Sequence, residues 1–313
     1  MRLVRSLLGR KGILAAIVLL GMSAAGCSIR RFAVNKVADS LAQGGSTFAS
    51  DDDPELIKEA LPFSLKLMES ILAESPRHRG LLLAAASGFA QYAYAFVEQE
   101  ADELESRDLA AATAMRERAK RLELRARNYG LRGLETSHPN FEKMLRENPQ
   151  SAVAGARKAD VPLLYWTASA WGLAIALSKD NPELVAEQPL MEALIDRALM
   201  LDEQYGQGAI HSFLITYEMA RQGVPGDPAA RAKKHFDRAV ELSGGLQAGP
   251  LVAYAESVSL QQQNRREFES LLKRALAINV HAKPEWRLAN LVMQRRARWL
   301  LSRVDELIID PNG

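Results

Sequence analysis

Residues 191–202 read MEALIDRALMLD and set the pattern that decides the fold. Their apolar side chains recur at intervals of three or four residues, at Met191, Leu194, Ile195, Ala198 and Leu201. A helix turns once every 3.6 residues, so this spacing puts the side chains on one helical face. Similar stripes occur in residues 232–243 and 268–278, while alternating β-branched runs are missing. The pattern therefore predicts an all-α protein.

Proline and glycine divide the chain after its N-terminal region into about a dozen segments. The predicted breaks are Ser75-Pro76, Ser137-His138-Pro139, Asp160-Val161-Pro162, Asn181-Pro182, residues 223–228, Gly244-Gly245 and Lys283-Pro284. Asp160 and Asp227 each precede a proline by one or two residues, which predicts helix N-caps. Short connections between helices favour antiparallel neighbours.

A weak internal repeat supports stacked helical hairpins. Ala198 to Asp202, Ala239 to Ser243 and Ala275 to Asn279 share the order small, apolar, variable, apolar, polar. The second helix of a tetratricopeptide unit ends in a similar way, although that repeat has a period of 34 residues. We expect antiparallel hairpins stacked as degenerate tetratricopeptide-like repeats, in an α-solenoid or bundle. A generic helical bundle stays open as the alternative, because the Trp, Gly and Tyr marks of the first helix are absent.

The N-terminus has the layout of an export signal. Arg2, Arg5, Arg10 and Lys11 precede an uncharged run over residues 12–25 that ends in Ala24-Ala25-Gly26-Cys27. A run of this length is too short for a membrane span, which needs about 20 residues, and is typical of a signal-peptide core. The basic residues belong to this segment, so removing these four from the net charge of +2 leaves −2. That balance gives no reason to expect nucleic acid as a partner.

The chain's single cysteine, Cys27, stands where a bacterial lipoprotein carries its lipid. The four residues resemble a lipobox, which implies a diacylglyceryl group on the Cys27 sulfur, cleavage after Gly26 and acylation of the new amino terminus. Ser28 follows instead of Asp, which implies sorting to the outer membrane. Two or more acyl chains would hold the protein stably on the membrane. We expect a signal peptide over residues 1–26, a lipidated lead-in over 27–53 and one helical domain over 54–313. An ordinary signal peptide with an incidental cysteine is the alternative.

Catalytic and metal-binding patterns are not found in the sequence. No two of the five histidines are three or four residues apart, and one cysteine excludes cysteine-cluster metal sites. Phosphate-binding loops and hydrolase elbows are also missing. His235 stands beside Phe236 on an apolar stripe and is interpreted as a packed or capping residue. The Glu- and Arg-rich block over residues 98–127 is interpreted as a solvated helix pair. We expect neither an enzyme nor a cofactor.

The segment 160–172 is the most informative one for binding. It holds two of the four tryptophans, Trp166 and Trp171, together with Tyr165 and several small residues. Five residues span about 140° around a helix, so the two indoles face different ways. Aromatic side chains beside small residues suit apolar ligands and protein contacts, which predicts a groove lined by these three aromatics. The alternative is a core helix with large residues.

Several motifs in order along the chain carry a family resemblance. They are Leu61-Pro62, Leu72, Pro76, Tyr92, Tyr94, Ala95, Ala126, Tyr129, Asp160, Leu164-Tyr165-Trp166, Ala170-Trp171-Gly172, Asp202, Tyr205, Gly208, Ala232-Lys233-Lys234-His235-Phe236, Ala239, Phe268, Leu271-Leu272 and Leu288-Ala289-Asn290. Behind a lipobox, this combination resembles the T-component lipoprotein associated with tripartite ATP-independent periplasmic (TRAP) transporters.

The resemblance implies a periplasmic, lipid-anchored helical protein that is a trimer. It also implies contact with the substrate-binding P-component of a transporter, and a cleft for a small apolar ligand. Asn290 is expected as a polar contact in that groove or as a buried bridging amide. Scaffolding or ligand hand-off would be the mechanism. The alternative function is a structural outer-membrane assembly or envelope-maintenance lipoprotein.

Overall fold

The structure is a computed structural model that describes residues 34–43 and 45–309. The predicted signal and Cys27 lie outside the described residues. Within the described ranges every regular element is helical and no β-strand occurs, which confirms the all-α prediction.

The helices follow one another with short connections. Helix α1 spans residues 34–43, and the others are α2 Gly45–Ala49, α3 Pro54–Glu74, α4 Arg79–Ala93, α5 Gln99–Leu104, α6 Leu109–Glu135, α7 Phe141–Glu147, α8 Pro149–Ala154, α9 Val161–Ala176, α10 Pro182–Val185, α11 Gln188–Leu201, α12 Ala209–Ala220, α13 Pro228–Leu242, α14 Ala248–Tyr254, α15 Arg265–Leu276, α16 Arg287–Ser302 and α17 Val304–Leu307. Two π-helical turns, Tyr94–Glu98 and Ala255–Ser259, continue α4 and α14, and 3-10 turns occupy Lys158–Asp160, Tyr205–Gln207 and Pro284–Trp286.

The predicted breaks all fall at helix boundaries, because proline and glycine act locally. Asp227 is the N-cap of α13, and its carboxylate accepts hydrogen bonds from the Ala229 and Ala230 backbone N–H groups at 3.1 and 3.2 Å. At the other helix end, Asp202 and Ser243 are the C-caps of α11 and α13. The polar residues of two copies of the weak repeat therefore terminate these helices, whereas in the third copy α15 ends at Leu276, three residues before Asn279.

Asp160 is not the side-chain cap that the sequence suggested. It ends a 3-10 turn with helical backbone angles, so its carboxylate does not reach the first N–H groups of α9. The carboxylate instead accepts from the Arg157 backbone N–H at 2.8 Å and from Arg79 at 2.7 Å, and pairs with His138 at 3.0 Å. Burial alone would raise the Asp160 pKa, but these three groups lower it below its ordinary value. Asp160 therefore occupies the predicted N-cap position of α9, but its side chain makes no capping hydrogen bond to that helix.

Each long helix packs mainly on the ones next to it in the chain. Helix α4 packs on α3 and α6, α6 on α9, α9 on α11, α12 on α13 and α14, and α16 on α14 and α15. The run Arg79–Leu104 is long and apolar enough to cross a membrane by length and composition, yet more than half of its most apolar window is buried. It therefore has the packing of a core helix.

The last long helix returns to the first ones. Helix α16 contacts α2 and α3, and its Arg287 donates to the Ser50 carbonyl at 2.8 Å. Arg295 binds the Glu103 carboxylate, and Arg296 pairs with Asp102 at 2.9 Å. We call these three arginine contacts the closing seam. They join residues nearly 200 positions or more apart, and so hold the two ends of the helical array together.

The block over residues 98–127 is only partly solvated. Arg121 is exposed, as expected, but Glu123 has no exposed surface and Gln99 is 2% exposed. Helix α6 packs on both α4 and α9, and Glu123 falls on its buried stripe between Ala119 and Ala126. The interpretation of a solvated helix pair is therefore wrong for this inner face.

Candidate functional site

Helix α9 carries the predicted aromatic cluster. Pro162 lies in its first turn, and Tyr165 and Trp166 follow with both rings partly exposed. The two rings meet edge to face with centroids 5.0 Å apart, and Tyr205 lies 5.3 Å from Tyr165. We call Tyr165, Trp166 and Tyr205 the aromatic face. Burial raises the pKa of the Tyr165 hydroxyl above its ordinary value.

Trp171 lies on the other side of the same helix and has no exposed surface. Its indole N–H donates to the Glu187 carboxylate at 3.0 Å, and the Arg127 guanidinium lies 4.9 Å from its ring centroid. The ring packs in the core cluster that contains Leu164. Trp171 therefore has the surroundings of a core residue, whereas Trp166 keeps access to solvent.

Glu187 organises the polar contacts around Trp171. Its carboxylate accepts from Arg127 at 2.9 Å and from Arg146 at 2.7 Å, in addition to the indole. Burial lowers the Arg127 pKa, and the adjacent Glu187 charge opposes that effect. Helices α6, α7 and α9 are thus linked through one acid in the connection before α11. Sequence reasoning missed Glu187, since nothing near it in the chain indicates these partners.

The small residues of α9 serve helix packing. A Cβ placed on Gly172 would lie 3.1 Å from the ring of Phe213 in α12. On the opposite helix, a Cβ at Gly130 of α6 would overlap the Thr167 hydroxyl. Ala168 and Ala170 are fully buried. Neighbouring helices therefore occupy the space that these small side chains leave.

Asn290 is buried, and both the oxygen and the nitrogen of its side-chain amide form hydrogen bonds. Its Oδ1 accepts from the Ala248 backbone N–H at 2.8 Å, and its Nδ2 donates to the Leu246 carbonyl at 2.9 Å. These bonds tie α16 to the start of α14. Trp166 and Leu288 both pack against one hydrophobic cluster of the fold. Of the two roles expected for Asn290, these contacts are those of a bridging amide.

Two histidines form a second, partly buried polar contact. His211 of α12 and His235 of α13 are joined Nδ1 to Nδ1 at 2.8 Å, so one ring donates and the other accepts. Burial lowers the pKa of both rings, and that of His235 falls to about 4. Among the described residues, no group of three or more His, Cys, Asp or Glu side chains could hold a metal ion. The contact with His211 and its partial burial give His235 the surroundings of a packed residue, in agreement with the sequence interpretation.

Comparison with known proteins gives two matches. The family model described as TRAP transporter T-component matches residues 50–308, which take in α3 to α17. A protein of Treponema pallidum (strain Nichols), described as an uncharacterized protein, is 28% identical over 304 residues. That alignment covers 91% of this chain and 94% of the relative. The likeness thus extends over nearly all of the helical array, including the aromatic face and the closing seam.

Proposed function

Because the chain belongs to the TRAP transporter T-component family, we propose that it is a lipid-anchored, non-catalytic protein that contacts the P-component of such a transporter. The observation that carries the proposal is the family match over residues 50–308. Association with a TRAP transporter follows from the family. The periplasmic location, the outer-membrane anchor and the P-component as the direct partner are the further steps proposed.

The anchor rests on the sequence around Cys27. Cys27 precedes residue 34, the first residue that the structure describes, by seven positions, and residues 34–43 are helical. A lipid on Cys27 would hold the helical array close to the membrane surface, where a substrate-binding protein can reach it. The test is the mass of the mature N-terminal peptide from cell envelopes. We expect a peptide that begins at Cys27 and carries a diacylglyceryl group on its sulfur and an acyl chain on its amino terminus. We also expect loss of envelope association in Cys27→Ser. An unmodified Cys27 would contradict this step.

We propose that residues 54–313 form one domain of degenerate tetratricopeptide-like hairpins. Two pairs of consecutive helices support it, since α13 packs on α12 and α15 packs on α14. Helix ends at Asp202 and Ser243 agree with the repeat of small and polar residues. Proteins built from such hairpins commonly present extended surfaces for partners. A scaffolding or hand-off role is consistent with this architecture.

The aromatic face is the proposed place of ligand or partner contact. Tyr165, Trp166 and Tyr205 combine large apolar area with polar tips, a composition that recurs in binding hot spots. Trp171 supports the face from behind, because its contacts with Arg127 and Glu187 fix the inner side of α9. A small apolar molecule or an apolar side chain of the partner would suit these rings.

An apolar stripe on α3 supports assembly with other chains. Leu56, Phe63 and Leu67 are 54%, 74% and 38% exposed, and their spacing puts them on one face of the helix. Exposed apolar stripes of this kind mark protein contacts. We propose the homotrimer that the family resemblance implies. Native mass spectrometry tests it, with Phe63→Asp expected to shift the mass to monomer and Gln261→Asp as the exposed control.

Binding to the P-component can be measured with purified proteins. The mature chain with Cys27→Ser is titrated with the substrate-binding protein of the TRAP transporter, with and without cell-extracted ligand. Trp166→Ala is expected to weaken the complex about tenfold or more, as loss of an aromatic anchor does. Trp286→Ala, at another partly exposed indole, is the control. If both variants bind the P-component equally well, the aromatic face is not the contact surface. If the chain forms a complex only with an outer-membrane protein, the assembly function is favoured instead.

A further inference from the structure

Both carboxylate oxygens of Glu123 and one of Glu98 are buried without a hydrogen-bond partner among the described residues. Glu123 has no exposed surface, and neither of its carboxylate oxygens has a hydrogen-bond partner among the described residues. Oε2 of Glu98 is also buried and without a partner. Buried polar atoms in native proteins are nearly always hydrogen-bonded, and a buried charge without a partner is costly. This pair therefore needs a physical explanation.

The two acids lie beside the closing seam. Glu98 ends the π-helical turn Tyr94–Glu98, which leads into α5 and its seam acids Asp102 and Glu103. The second π-helical turn carries Glu256, which accepts from Arg296 of α16 at 3.0 and 2.6 Å. π-helical turns are rare and recur at functional positions. Both such turns in the described chain thus supply an acid next to the seam.

The local charges do not balance. The charged groups that face Glu98 are Asp102, Glu256, Arg296 and Arg116, and Glu98 is the charged group that faces Glu123. Arg296 pairs with both Asp102 and Glu256, and Arg116 pairs with Asp102 at 2.8 Å. The two cations are therefore engaged by the two outer acids. Glu98 and Glu123 stay as an acidic pair with no cation bound directly to either of them.

Physical chemistry favours protons on this pair. Burial, with the neighbouring Asp102 charge, raises the pKa of Glu98 to about 7. Burial and the Glu98 charge raise the pKa of Glu123 well above its ordinary value. Two neighbouring carboxylates in a low-dielectric interior resist ionising together. Both shifts have the same sign, so folding takes up protons at neutral pH.

We propose that Glu98 and Glu123 form a proton-binding site that sets how tightly the closing seam holds. With protons bound, the pair is neutral and the helical run from α4 to α5 packs on α6. When both acids ionise, their repulsion acts between α6 and the turn that holds Glu98. The helical run from α4 to α5 shifts to relieve that repulsion. The end of this run carries the seam acids Asp102 and Glu103, so they move with it. Rising pH therefore loosens the contacts with Arg295 and Arg296.

The sign of the pH dependence follows from the raised values. A carboxyl group with a raised folded pKa stabilises the protein fully below its unfolded value, and that stability is lost as pH rises through the folded pKa. For Glu98 the window therefore runs upward from about pH 4.5 to beyond about 7. The seam is expected to be tightest in mild acid and loosest in mild alkali.

Hydrogen exchange of the full chain tests the proposal. Peptides from residues 94–104 are followed at pH 5.5, 7.0 and 8.5, with correction for intrinsic exchange, in the wild type, Glu98→Gln and Glu123→Gln. In the wild type the open fraction should rise with pH, up to about tenfold per pH unit for each proton lost. Both Gln variants should flatten this rise. Glu117→Gln, an exposed acid on the same helix, should leave it unchanged.

Two results would overturn the proposal. The first is an unchanged pH dependence in both Gln variants. The second is a melting temperature that depends on pH while hydrogen exchange over residues 94–104 does not. The two buried acids would then affect overall stability without affecting the seam. If a variant fails to fold, infrared difference spectroscopy of the wild type replaces it. A protonated carboxyl band at pH 7 that disappears at pH 9, in step with seam exchange, supports the site, and the lack of such a band rejects it.

Discussion

Arg295 in α16 binds Glu103 in α5 through two hydrogen bonds of 3.0 and 2.8 Å, and so joins residues 192 positions apart. This bidentate contact is one of the three that form the closing seam. Without it, α16 would keep its packing on α14 and α15 but lose a charged link to the N-terminal helices. The relationship explains why the arginine-rich face of α16 is directed at carboxylates of its own chain.

A bidentate ion pair stabilises a protein only slightly more than an ordinary exposed ion pair does. Replacing Arg295 by Gln is therefore expected to lower the free energy of unfolding by about 1 kcal/mol. Urea unfolding followed by circular dichroism measures it. Arg298→Gln on the same helix is the control, since Arg298 is exposed and has no partner in the part of the chain described. Equal effects of the two substitutions would show that the seam contact adds no stability.

Gly130 is expected to tolerate no side chain. A Cβ there would overlap the Thr167 hydroxyl of α9, so Gly130→Ala should force α6 away from α9 and destabilise the protein by about 1–3 kcal/mol. Gly155 has helical backbone angles, and a Cβ added there would meet no atom within 4 Å. Gly155→Ala should therefore stay within about 0.5 kcal/mol of wild type. Thermal unfolding compares them, and a neutral Gly130→Ala would contradict the close approach of these helices.

The buried amide of Asn290 is expected to contribute more to the stability of the fold than the size of its side chain suggests. Asn290→Ala leaves the Ala248 N–H and the Leu246 carbonyl without their partner, and each unsatisfied group costs about 1–3 kcal/mol. We expect a total loss of about 2–4 kcal/mol in denaturant unfolding. Gln262→Ala, at an exposed amide, should be near neutral. A loss below about 1 kcal/mol would mean that water replaces the amide and that α14 does not depend on it.

The histidine pair should make the protein sensitive to acid. Burial and the facing His211 lower the pKa of His235 to about 4, below the unfolded value of 6.5. Stability from this ring is present above about pH 6.5 and is lost as pH falls toward 4. His235→Asn keeps an acceptor near Nδ1 without titrating, so its melting temperature should fall less between pH 7 and 5. Exposed His281→Asn should behave as wild type, and an equal acid loss in His235→Asn would refute the assignment.

The parts of the fold that depend on neighbouring residues could be predicted from the sequence. Proline and glycine positions fixed the helix boundaries, and Asp227 caps α13 because its carboxylate needs only the next N–H groups along the chain. Asp160 also stands shortly before a proline, so the sequence pattern predicts the same kind of cap for it. Its partners Arg79 and His138 are 81 and 22 residues away, so only the folded chain reveals them.

The candidate site could be predicted in part for the same reason. Helix geometry placed Trp166 and Trp171 on different sides of α9, but which one faces inward is decided by Arg127 and Glu187 from other parts of the chain. The charged sequence neighbours of Glu123 predict a solvated charge. The packing of α6 between α4 and α9 buries it, and a local pattern carries no information on that packing.

The most direct test of the central claim is isolation of the full chain from its own cell envelope. An affinity-tagged wild type and a Trp166→Ala variant are purified after mild crosslinking, and partners are quantified by mass spectrometry. Enrichment of the substrate-binding P-component with wild type, reduced in the variant, is the predicted result. Recovery of outer-membrane assembly proteins without any P-component would contradict it.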